Sequence, residues 1–264
     1  ALIGVGFFAD RARLAFAYLT AYAFVASIAL GGLLFLMICH TMRAGWPVVI
    51  RRLNEGIISA LPALAVLFIP LYFGLKALYP WLRIEAIPDE HARELLEHRR
   101  PYMNQGFFLV RTALYFGIWI AASALLCRWS ARKDKDHALE VNHKLYRFSA
   151  GALPPVALAL VFASFDWLMS LEPAWTSTMF PVYYFAGGFL GAIALLTLLT
   201  ATAQRAGMLP GVRSSHYYAL GRLLLAFTIF WAYAAFFQFM LIWIANRPLE
   251  AEFYLDRARG PGPP

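Results

Sequence analysis

The sequence predicts an all-α, polytopic transmembrane helix bundle, and three observations carry that prediction. Of 264 residues, 61% are hydrophobic and 14% charged, with a mean hydropathy of +0.60, a balance foreign to soluble domains. Apolar runs of roughly 20 residues recur along the whole chain, the length a helix needs to cross a hydrocarbon core of about 30 Å. None of these runs has the alternating pattern of a barrel strand.

Six spans follow in order within a single domain covering residues 1–264: 13–39, 57–79, 106–127, 149–169, 177–203 and 219–245. Charges or proline bound the early ones. In the first, Ser27 and Gly31 of SIALGG share a face and predict a helix contact. Between the second and third, PDEHARELLEHRR has proline at its start, acids in the first turn and bases in the last, the polarity a helix dipole favours, so a short surface helix is expected. The fifth contains Gly187, Gly188 and Gly191, again small residues that let a second backbone approach. The sixth carries Gln238 at mid-span depth, with Thr228, Trp231 and Tyr233 as further polar tips. An amide unpaired in lipid costs several kcal/mol, so this helix is expected in the bundle interior. Beyond it, RARGPGPP (257–264) reads as a tail that neither packs nor spans. At the other end the chain starts without Met and without a signal-peptide pattern, which suggests a trimmed start.

Lys and Arg set the orientation, because cytoplasmic loops hold an excess of them. The odd-numbered connections hold twelve basic residues, including Arg43, Arg51, Arg52, Arg128, Arg132, Lys144 and Arg147. The second holds four, offset by five acids, and the fourth holds none. Both termini and the fourth connection are therefore expected outside, and the net charge of +8 reflects topology, not a nucleic-acid footprint.

The stretch FDWLMSLEPAWTSTMFPVYYF (165–185), around the fourth connection, places Asp166 and Glu172 at the junction of two apolar runs. Carboxylates at such a boundary can relay protons. The alternative is that Asp166 bonds backbone at a helix end and Glu172 caps a helix starting near Trp175 and Thr176; both readings stay open. On the opposite side Glu55 can pair with Arg51 at helical spacing or serve as a proton entrance. Gln238 and Tyr233 are weaker candidates for an intramembrane polar path. His40, His91, His98, His137, His143 and His216 all fall at span ends or in loops, where they would not hold a mid-membrane haem. Cys39 and Cys127 are far apart and form no cluster motif, so no metal-ligated cofactor is expected.

Four segments, 28–55, 101–111, 165–180 and 223–254, together resemble the F-subunit family of bacterial alternative complex III, within the polysulfide-reductase (NrfD-like) membrane proteins. FDWLMSLEP is the specific string. The resemblance implies a membrane subunit of a quinol:electron-acceptor oxidoreductase in the bacterial inner membrane. Its partners would be a homologous quinol-binding membrane subunit, a periplasmic iron–sulfur subunit, multihaem c-type cytochromes and lipids. Quinone would be bound at the level of the complex. Two departures stand out: members of that family carry more spans than these six, and Ala174 stands where the family tends to have His. Two other classes compete, a secondary transporter, which should show an internal repeat and a broken helix, and a purely structural anchor. Neither transporter sign is evident in the sequence.

Overall fold

A computed structural model describes residues 11–86, 90–136, 139–172, 175–246 and 248–259. It is an all-α polytopic membrane bundle, with no strand among the described residues. Five helices are each long and apolar enough to cross a membrane: α1 (Arg11–Thr41), α6 (Gln105–Asp136), α7 (Leu139–Trp167), α8 (Phe180–Arg205) and α9 (Ser214–Ala245). The remaining predicted span is broken, and counted as one crossing it would be the sixth. It consists of α2 (Arg51–Ile58), α3 (Leu61–Leu67) and α4 (Ile69–Leu78), with a 58° bend at Phe68. Two shorter α-helices complete the set among the described residues: α5 (Glu90–Arg99), which realises the predicted surface helix from Glu90 onward, and α10 (Pro248–Arg259).

The bend departs from the uninterrupted second span read in the sequence, and its cause is proline. Pro70 has no N–H, so the carbonyl of Val66 loses its usual donor, while the Leu71 N–H turns to Phe68. Hydroxyls from α1 attend to the break: Tyr18 donates to the Leu67 carbonyl at 2.7 Å and Tyr22 to that of Leu64 at 3.0 Å. A neighbouring helix thus satisfies backbone groups that lipid cannot.

Helix α1 is the centre of the bundle, with 78% of its apolar window buried, whereas α9 is peripheral at 17%. The close approach of α1 and α8 explains the small residues predicted to mediate contacts. A methyl on Gly188 would stand 2.6 Å from the Ser27 carbonyl oxygen, and one on Gly31 would collide with the backbone of Gly188. The two small-residue patches meet each other. Below this contact Trp167, Phe116, Phe68 and Tyr22 form an aromatic block, with Trp167 centroids 5.1 Å from Phe68 and 5.6 Å from Phe116.

Helix ends follow local chemistry. Asn104 Oδ1 accepts the Phe107 N–H at 2.9 Å and so caps α6. Asn246, at φ 44°, closes α9 in the left-handed conformation that asparagine tolerates. Two expectations need correcting here. Helix α8 begins at Phe180, so Glu172 does not cap a helix starting near Trp175; its carbonyl instead accepts the Trp175 N–H. The stretch beginning at Arg257 is not a loose tail as far as Arg259. It continues α10, whose Phe253 ring stacks on Trp175 at 4.0 Å and carries the Arg257 guanidinium over it at 3.4 Å. Residues 260–264 lie outside the described residues.

Candidate functional site: two buried carboxylate clusters

The two carboxylates with the deepest burial stand near opposite ends of α6. At its start Arg111, five residues into the predicted third span, meets Asp166 of α7 as a fork: Nε donates to Oδ2 at 2.7 Å and Nη2 to Oδ1 at 2.9 Å. Tyr115, one turn along, donates its hydroxyl to Oδ2 at 2.8 Å. The guanidinium also donates from Nη1 to the Tyr102 carbonyl at 2.9 Å and lies over the Tyr102 ring at 3.9 Å and the Phe107 ring at 4.4 Å. Asp166 is 3% exposed, so charge-assisted bonds of this geometry are strong and costly to break. Burial, then the Asp166 charge, pushes the phenol of Tyr102, in the loop before α6, above the usual tyrosine range.

The residues after Asp166 are tied down as well. Its own carbonyl accepts from Ser170 at 2.6 Å, the Trp167 indole donates to Thr112 at 3.2 Å, and Tyr79 donates to the Trp167 carbonyl at 3.0 Å. The polar groups of FDWLMS thereby fasten α7 to α6 and to the end of the bent span.

At the other end Glu55 of α2, 5% exposed, accepts from Ser130 of α6. Arg51 Nε lies 3.2 Å from its Oε1, the predicted pairing at helical spacing, and Arg52 donates to Oε2 at 2.5 Å. From Arg111 to Ser130 the helix rises roughly 28 Å, about the hydrocarbon thickness. Between them the buried face of α6 also carries Thr112, Tyr115, Trp119 and Ser123. The aromatic block around Trp167 separates the two polar ends.

The other predicted site residues do not join these clusters. Glu172 is exposed, and no side-chain partner for it is found among the described residues. Gln238 is buried and faces protein, with Tyr254 of α10 as a polar neighbour, which makes it a tie between helices. Tyr233 is 51% exposed, stacks on Phe237 of its own helix and does not reach Gln238. The expectation of an interior sixth span is thus corrected: on α9 only Leu220 and the stripe through Ala234, Gln238 and Ile242, at four-residue spacing, are buried, Thr228 is exposed, and Trp231 lies at the edge of the bundle with its ring stacked on Tyr183 of α8. Pro173 and Ala174 lie outside the described residues. Sequence reasoning missed Arg111, Tyr115 and Ser130. The lone charge of Arg111 inside an apolar run was the available signal.

Cys39 and Cys127 are unbridged, and among the described residues no three of His, Cys, Asp and Glu gather as a metal site. Fold and site together define a polytopic helical membrane protein with a buried, hydrogen-bonded carboxylate near each end of one crossing. No protein-family model and no curated protein matches the chain.

Proposed function

We propose that this chain is a membrane subunit of a quinol-oxidising, cytochrome-reducing complex of the bacterial cytoplasmic membrane, where it holds the assembly and conducts protons through a polar half-path at each face. The observation that carries the proton role is a buried polar cluster near each end of α6, Arg111–Asp166–Tyr115 at one and Ser130 with Glu55 at the other. Ionisable groups buried in membrane helices are costly, and ion and proton routes are among the roles that retain them. The wording of segments 28–55, 101–111, 165–180 and 223–254 supports the assignment to the complex. In this reading quinol is bound by a homologous sister subunit, and the iron–sulfur and haem centres belong to partners. Glu172, exposed six residues beyond Asp166, stands at the outer mouth.

The test uses the complex purified from its native membrane. Absorbance of c-type haem should travel with the chain. Glu55→Gln and Tyr115→Phe should lower proton release per electron at unchanged haem content; normal turnover and normal proton release in both would sink the proton role. A chain that purifies alone and moves solute in liposomes would overturn the complex.

One observation favours the transporter reading, the broken crossing at Phe68. The carbonyls of Leu64 and Leu67 beside the break are engaged by Tyr22 and Tyr18 instead of facing a cavity, which fits a packed bend better than a substrate site.

A further inference from the structure

The end of α1, the turn Trp46–Val49, the start of α2 and the first turns of α7 enclose a cavity of about 450 Å³. Its polar lining is His40, Arg43, Arg51, Asn54, Asn142 and His143, and no carboxylate is among its lining residues. The nearby Glu55 is engaged by Arg51, Arg52 and Ser130. The field in the cavity is therefore positive. Helix α2 starts at this cavity without a side-chain cap, and a helix start favours anions.

Two features set this cavity apart from an ordinary basic loop. Arg43 is held at φ 51°, a left-handed conformation that costs a non-glycine residue roughly 1–2 kcal/mol, and its guanidinium lies 4.3 Å over the Tyr146 ring. Asn54, 1% exposed, donates Nδ2 to the Gly32 carbonyl at 2.9 Å and leaves Oδ1 buried without a partner. An orphaned acceptor of this kind is what a ligand hydroxyl or a bound water would satisfy.

An apolar groove adjoins the cavity and shares Phe35, Cys39 and Ala44 with it. It continues past Met42 and Trp46 to Phe227 of α9. Basic head and apolar tail stand side by side in a membrane protein. We infer that the cavity binds the phosphate headgroup of an anionic phospholipid whose acyl chain lies in the groove. Free phosphate shares the headgroup chemistry but has no use for the groove.

Native mass spectrometry of the detergent-purified protein, incubated with equal phosphatidylglycerol and phosphatidylcholine of the same chain length, tests this. The phosphatidylglycerol adduct should exceed the phosphatidylcholine adduct about fivefold or more, and Arg43→Asn should weaken it about tenfold, the scale of one charge-assisted contact. Asparagine tolerates the left-handed backbone at position 43, so this variant keeps the fold. Ala226→Phe, which fills the groove from α9, should weaken the adduct while leaving binding of inorganic phosphate unchanged. Equal adducts of the two lipids, or an unchanged adduct in Arg43→Asn, would overturn the site. Displacement of the lipid by millimolar inorganic phosphate would overturn the lipid as its occupant.

Discussion

Replacing Asp166 by alanine removes the acceptor of three bonds, of 2.7, 2.9 and 2.8 Å, in a site 3% exposed. Arg111 would keep only its bond to the Tyr102 carbonyl and the two rings beside it. Breaking a buried ion pair by deleting one partner costs about 3–5 kcal/mol, and the orphaned Tyr115 hydroxyl adds to it by about 1 kcal/mol. The expected loss for Asp166→Ala therefore lies at or above the middle of that range. A paired replacement, Arg111→Met with Asp166→Leu, fills the same space without charge. It should recover most of the loss, because apolar substitutes of similar volume are often as stable as a buried pair. The assay is equilibrium unfolding in mixed micelles, followed by tryptophan emission, to which Trp167 beside Asp166 contributes among eight tryptophans. A loss below about 1 kcal/mol for the single variant, or a double variant that loses the sum of the two singles, would refute the lock described here.

Three further outcomes are expected. Gly188→Ala should destabilise by about 1–3 kcal/mol, since the added methyl meets backbone of α1 that cannot yield, whereas Gly117→Ala, with open space around it, should gain about 0.5–1 kcal/mol; parallel unfolding curves compare them. Tyr102 has a folded-state pKa above its unfolded one, so the stability it confers is complete below about pH 10 and is lost as pH rises toward the folded value; unfolding midpoints measured upward from pH 9 should fall less steeply in Tyr102→Phe. Phe253→Ala removes the stack on Trp175 and the seat of Arg257, and limited proteolysis should then cut α10 about tenfold faster.

The crossings were legible because an apolar run long enough for a bilayer is a local property of the sequence. So was the pairing of Arg51 with Glu55, four residues apart on one helix. Small residues at Ser27, Gly31 and Gly188 announced close contacts, but not that they would meet each other, because helix order around α1 is a property of the whole bundle. Asp166 was recognisable as an awkward carboxylate. Its partner, 55 residues earlier, was not, since nothing local to FDWLMSLEP specifies Arg111. The bend at Phe68 had a written cause in Pro70 that an apolar-run reading passes over. Polar tips misled on α9 because a tyrosine or threonine is tolerated at a lipid face, Thr228 by bonding the Leu224 carbonyl of its own helix at 2.8 Å.

The tyrosines that attend to the bent crossing also constrain how the protein is made. A segment interrupted by proline enters lipid with backbone carbonyls short of donors, and the hydroxyls that bond the Leu67 carbonyl and add to that of Leu64 belong to the preceding helix. The bent segment is therefore poorly suited to residing alone in the bilayer, and α1 must stand beside it when it leaves the translocation machinery. Chain order supplies that condition, because α1 is synthesised first and waits as a ready-made wall of hydrogen-bond donors.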